Sequence, residues 1–80
     1  SDNVLVVEFD VKVTIEMLRN IVGLKQAKSI KDNHWILEPK ADLDIRQDLM
    51  RWAINNNVII KSMQREEMSI EESFQRLTKV

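Results

Sequence analysis

Lys25-Gln-Ala-Lys-Ser-Ile-Lys31, then Asp32-Asn33, then His34-Trp-Ile-Leu-Glu38 and Pro39, is the stretch on which the fold turns. Residues 25–31 read as a polar strand whose apolar members are Ala27 and Ile30. Asp and Asn both tolerate the left-handed backbone region, so Asp32-Asn33 marks a turn. The return strand runs from His34 to Glu38, with Trp35 and Leu37 pointing one way and Ile36 the other. Pro39 ends it, because proline has no N–H to give to a ladder. A hairpin in the middle of an 80-residue chain leaves two flanks to be read outward from it.

Toward the N-terminus, Gly23 is the only glycine and is placed as a helix C-cap, where positive φ costs it nothing. The helix before it opens at Thr14 as N-cap, with Glu16 in the first turn near the positive end of the helix dipole. Leu18, Ile21 and Val22 form its apolar stripe. Before that, residues 4–10 read as a strand, with Leu5, Val7 and Phe9 on one face and Val4, Val6 and Glu8 on the other. Apolar residues on both faces at its start predict a central strand rather than an edge.

Toward the C-terminus, Asp42 or Asp44 caps the longest helix. Ile45, Leu49, Trp52 and Ala53 fall at i, i+4, i+7 and i+8, with Met50 and Ile54 alongside. Asn55-Asn56-Asn57 is the stop signal, since one Asn can take the left-handed cap that glycine usually takes. Residues 58–65 form a fourth strand. Ser69 and Glu72 then stand in the S-x-x-E spacing of a capping box, and Ile70, Phe74 and Leu77 follow at i, i+4 and i+7.

The element order is β-α-β-β-α-β-α. The fold class this predicts is α+β: a ferredoxin-like βαββαβ antiparallel sheet over residues 4–66, with both long helices on one face and the other face open. A terminal helix over residues 69–79 is added, and the whole chain, 1–80, is one domain. A helix of about ten residues is marginal alone in water, so the stripe Ile70, Phe74, Leu77 must lie on something. Packing within the domain is the ordinary outcome; the alternative is contact with a partner. These three are the candidate partner-contact residues, with the open sheet face as second choice.

Composition narrows the chemistry. The chain has one Gly, one Pro, no Cys and a net charge of −1. A disulfide scaffold, thiolate metal ligands and Cys nucleophiles are excluded. No run approaches the roughly 20 apolar residues of a membrane span. Nucleic-acid binding would call for a basic excess. His34 is a lone histidine, and Asp42/Asp44, Glu66/Glu67 and Glu71/Glu72 are sequence neighbours near helix starts rather than carboxylates facing each other across a cleft. No G-x-S-x-G and no phosphate-cradling G-x-x-x-x-G-K-[ST] occurs. Trp52 belongs to the core; Trp35 could lie on the open face. Lys25, Lys28, Lys31 and Lys40 cluster mid-chain and Glu66, Glu67, Glu71 and Glu72 near the end, as solvated faces or as complementary patches that orient a partner. No catalytic, cofactor-binding or metal-ligating residue is expected.

Three stretches together resemble a known family. Ser69-Ile-Glu-Glu-Ser-Phe-Gln-Arg-Leu-Thr78 is similar to the S-L-E-[DE]-x-F-x-x-L-T ending of bacterial ABC transporter ATP-binding subunits, closest to the gliding-motility-associated group. Val6-Val-Glu-Phe-Asp10 and Ile45-Arg-Gln-Asp-Leu-Met-Arg-Trp-Ala53 resemble the same group in order and spacing. Ser73 departs from the Leu or Val usual there. The resemblance implies a C-terminal accessory domain behind a nucleotide-binding domain that carries the Walker motifs, ATP and Mg. Its partners would be its own nucleotide-binding domain, the second ATPase subunit or the membrane permease, with homodimerisation as a further arrangement. It implies a cytoplasmic position, peripheral at the inner face of the cell membrane. The alternatives are a free-standing ferredoxin-like regulatory module binding a small ligand or protein partner, and an adaptor presenting a strand edge.

Overall fold

A computed structural model of the chain describes residues 2–79. It is α+β: a four-stranded antiparallel sheet with three helices. The strands are β1 (Val4–Phe9), β2 (Leu24–Lys31), β3 (His34–Pro39) and β4 (Ile60–Glu66). The helices are α1 (Ile15–Leu18), α2 (Arg46–Asn55) and α3 (Ile70–Thr78), and a short 3-10 turn spans Lys40–Asp42. Strand order is β2-β3-β1-β4, so β1 is central as its two-sided apolar character predicts.

Alternation on β1 sorts the two cores. Leu5, Val7 and Phe9 face the side that carries α1 and α2 and join Leu18, Leu37, Ile45, Leu49, Trp52, Ala53 and others in the larger cluster. Val4, with Val6 partly buried, faces the opposite side and meets Ile36 and Ile70. Trp52 anchors the larger core: its ring lies 5.5 Å from Phe9, tilted by 54°, and its indole N–H donates to the Met17 carbonyl at 2.8 Å. A buried Trp N–H usually finds such an acceptor, because leaving it unpaired costs free energy.

Helix α1 is shorter than its stripe predicts. Thr14 caps it, accepting from the Met17 N–H at 3.2 Å, but regular helix stops at Leu18. Beyond it the bonds tighten to i→i−3, Asn20 to Met17 and Ile21 to Leu18, which turns Ile21 inward and leaves Val22 70% exposed. Gly23 does take positive φ, +83°, yet its role is not to cap the helix. It turns the chain into β2, and a Cβ there would meet Ile45 Cγ2 at 2.9 Å. Its carbonyl accepts from the Lys40 N–H at 2.7 Å.

At α2 neither expected cap holds the N-cap position, which falls to Ile45 with no side-chain cap bond; Asp44, one residue earlier, accepts from the Arg46 backbone N–H at 3.2 Å. Asp42 instead accepts from the Asp2 N–H, tying the chain before β1 to the turn after β3. Asn57 takes the left-handed conformation at φ 55°. The Val58 N–H reaches back to the Ala53 carbonyl at 2.8 Å and the Asn57 N–H to that of Ile54 at 3.2 Å, the paired bonds of a Schellman ending. Val58 is thus part of the helix stop and buries in the core, so β4 begins at Ile60 and not at residue 58. A register shift between Glu8 and Phe9 sets Ser62 opposite Glu8 and Ile60 opposite Phe9, with Lys61 as the extra residue.

Candidate functional site

Helix α3 begins where the Ser-x-x-Glu spacing places it. The Glu72 N–H donates to Ser69 Oγ at 3.1 Å. The Glu72 carboxylate takes the Ser69 hydroxyl, also at 3.1 Å, rather than reaching back to the Ser69 N–H. The helix lies over β2 and β3 on the sheet face that faces away from α1 and α2. The βαββαβ order predicts an open face there; α3 covers part of it.

The three candidate contact residues are graded from inside to outside. Ile70 is fully buried between Val4 and Ile36, so its side chain is occupied within the domain. Phe74 is half-buried against the same cluster, and Lys28 Nζ stands 5.0 Å above its ring. Leu77 is 38% exposed. Arg76 clamps the helix to the sheet by donating to Glu66 Oε1 at 2.5 Å, where the Glu66 side chain is only 10% exposed. Ser73 is buried as well, and its hydroxyl has no hydrogen-bond partner. Trp35 does not lie on this face: it packs at the rim of the larger core, beside Lys12, Ser29 and Lys31 around a cavity of about 460 Å³.

The bare surface of the molecule is β4. Lys61, Ser62, Met63, Gln64 and Arg65 are exposed in succession, although the strand alternates in sequence like a half-buried one. Strand β4 pairs with β1 on one side, and among the described residues nothing pairs with its other edge. Helix α2 runs beside it without closing over it, leaving a groove of about 540 Å³ lined by Asp44, Arg46, Gln47, Asp48, Met50 and Met63. Met50 is 44% and Ile54 79% exposed, one turn apart on the flank of α2, and Met63 is 36% exposed on β4. The sequence spacing predicts Met50 and Ile54 alongside the core stripe, and the structure sets them apart from it. The available signal is angular: the buried set Ile45, Leu49, Trp52, Ala53 already fills one helix face, and Met50 and Ile54 fall outside it.

Charge in the groove is locally neutralised. Arg46 donates to Asp44 through Nε at 2.9 Å and through a terminal guanidinium nitrogen at 2.7 Å. That side-chain bond, then the Arg46 backbone N–H, then the nearby Arg46 and Arg65 charges hold the Asp44 carboxyl down at about 2. Elsewhere, Glu8 sits between His34 Nε2 and Lys61 Nζ, each 3.5 Å away, across three neighbouring strands. His34 Nδ1–H donates to the Asp32 carbonyl at 2.7 Å, which positions the ring. The neighbouring carboxylates go to separate tasks: Asp44 to Arg46, Glu66 to Arg76, Glu72 to Ser69. Among the described residues no group of three or more His, Cys, Asp or Glu could hold a metal ion, and no helix is long and apolar enough to cross a membrane. No family model, no curated protein and no solved structure matches the chain.

Proposed function

We propose that this chain is a non-catalytic accessory domain of an ABC transporter ATP-binding subunit, of the gliding-motility-associated type, with a ferredoxin-like fold. The fold name is supported by the βαββαβ element order and by a sheet in which β1 and β3 lie inside and β2 and β4 at the edges. One observation carries the functional reading. The three stretches that resemble the family are β1, α2 and α3, the strand at the centre of the sheet and a helix on each of its faces. Val7 and Phe9 meet Leu49, Trp52 and Ala53 on one side; Val6 meets the Ile70 and Phe74 cluster on the other. The likeness runs through nearly the whole chain, and its three stretches fall on elements that pack against one another.

The domain acts by position. Walker motifs, ATP and Mg belong to the preceding nucleotide-binding domain, and this domain docks on that domain, on the paired subunit or on the permease at the inner face of the membrane. Docking changes turnover only when its contacts differ between the open and closed states of the ATPase pair. The reading frame upstream tests this: a G-x-x-x-x-G-K-[ST] domain ahead of residue 1 is the expected result, and an upstream region without one overturns the proposal. Deleting residues 1–80 from the full subunit should then change its ATPase rate while leaving nucleotide binding intact. A second reading, a regulatory module for a small anionic ligand, is favoured by Lys12 and Lys31 flanking Trp35 at the 460 Å³ cavity. A large rise in Tm with a phosphorylated or carboxylated metabolite would select it.

A further inference from the structure

We infer that two copies of this chain pair through their β4 edges, joining the two sheets into one antiparallel eight-stranded sheet about a two-fold axis. The inference goes beyond the transporter reading and stands separately from it, because a monomeric domain could still dock on an ATPase.

The two edges of the sheet are treated differently. On β2, Lys25, Lys28 and Lys31 recur along the edge, and its pairing with β3 shifts register twice, between Leu24 and Gln26 and between Ser29 and Lys31. Lysines and bulges are the ordinary means of keeping an edge from pairing. Strand β4 has one shift, at its start, and then runs regularly from Ser62 to Glu66 with its outer backbone groups unpaired. Its middle, Lys61 to Arg65, is exposed, and Met50 and Met63 lie exposed at the groove on the α2 side.

Charge selects a self-complementary register. Antiparallel pairing centred on Met63 would set Lys61 opposite Arg65, and pairing centred on Arg65 would set two arginines face to face; like charges directly opposite are unfavourable. Pairing centred on Gln64 sets Met63 opposite Arg65, Ser62 opposite Glu66, and Lys61 opposite Glu67 of the second copy. The Arg65 stem then covers Met63 while its head stays in water. The two-fold brings the second Met63 to the same face, so Met50 of both copies borders one apolar seam. A residue patch that meets its own copy is what a two-fold interface requires. With only one strand and a few side chains per copy, the contact belongs to the small class below about 1,200 Å², which predicts a reversible dimer.

Sedimentation equilibrium from about 10 μM to 1 mM, a range that brackets weak association, should show a monomer–dimer equilibrium. Met63→Lys, at an exposed position, should weaken it at least about tenfold, a loss of about 1.4 kcal/mol, with the circular dichroism spectrum and Tm unchanged. Glu67→Lys should weaken it too, and adding Lys61→Glu should restore it, while Lys25→Glu on β2 should have no effect. A single monomeric mass at every concentration overturns the inference. So does a dimer that neither Met63→Lys nor Glu67→Lys weakens, since it would be built elsewhere.

Discussion

The two faces of this sheet are held by very different amounts of apolar surface. On the α1/α2 side thirteen buried residues form one continuous cluster, with Met17, Ala27, Trp35 and Ile60 around it. On the α3 side three buried residues, Val4, Ile36 and Ile70, are edged by Val6, Ile30 and Phe74. The first face takes residues from β1, both flanking helices and the turn between α1 and β2, so that it closes on itself. The second depends on a single nine-residue helix. The contrast predicts a molecule whose α3 can open while the rest stays folded, because local opening free energies follow the number of buried contacts.

Leu49→Ala is the strongest way to break the contrast. Leu49 is fully buried in the larger cluster, and such truncations cost about 2–5 kcal/mol. At roughly 0.05–0.15 kcal/mol per residue the whole chain has about 4–12 kcal/mol to lose. Chemical denaturation should show a large fall in midpoint, and hydrogen exchange should quicken in every element together.

Ile70→Ala sharpens it. The side chain is as buried as Leu49, but the helix that carries it can shift to close the gap, so the expected loss is at the low end, about 2 kcal/mol. Exchange should quicken across residues 70–78 and stay slow in β1 and α2. Uniform loss of protection would show that the two faces fold as one unit.

Ser73→Ala should act in the opposite direction. The Ser73 hydroxyl is buried on the α3 side with no partner, and an unsatisfied buried polar group costs about 1–3 kcal/mol. Removing it should raise stability by about 1 kcal/mol, read as a higher midpoint and slower exchange in α3. A lowered midpoint would mean that the hydroxyl has an acceptor in solution.

The smallest effect lies at the start of α2, on the well-built side. The Asp44 carboxyl sits at about 2, below its ordinary 3.8, because Arg46 donates to it from side chain and backbone. A carboxyl whose folded value is depressed stabilises the fold above its unfolded value, and that contribution fades as pH falls from about 3.8 toward 2. The group is exposed, so the effect on stability is slight, and the direct measurement is an NMR titration of its side-chain carbon. A midpoint near 4 would show the Arg46 contact to be absent in solution, and Arg46→Ala should move the midpoint up.

Much of the skeleton was legible in the chain itself. Thr14 and Ser69 each accept the backbone N–H that a cap must accept, whereas Asp44 stands one residue before the α2 N-cap, Ile45; Asn57 takes the left-handed turn its triplet signals. Leu49, Trp52 and Ala53 bury together as their spacing requires. What failed did so where a local pattern was cut short by a neighbour. The stripe through Val22 broke because the chain tightens after Leu18 to enter β2. The alternation through Val58 broke because that residue completes the α2 stop. The spacing of Ile70, Phe74 and Leu77 predicts one contact stripe on α3, but its first residue, Ile70, is buried inside the domain.

Side-chain period along the chain determined which residues share a face: Leu5 with Val7 and Phe9, Ile70 with Phe74. It could not determine what each face meets. That α3 lies across the far side of the sheet, that β4 stays bare, and that Gly23 serves a strand rather than a helix were decided only by the tertiary structure. The reason is that periodicity is set by backbone geometry over a few residues, whereas burial is set by contacts between elements tens of residues apart, whose arrangement no short window contains.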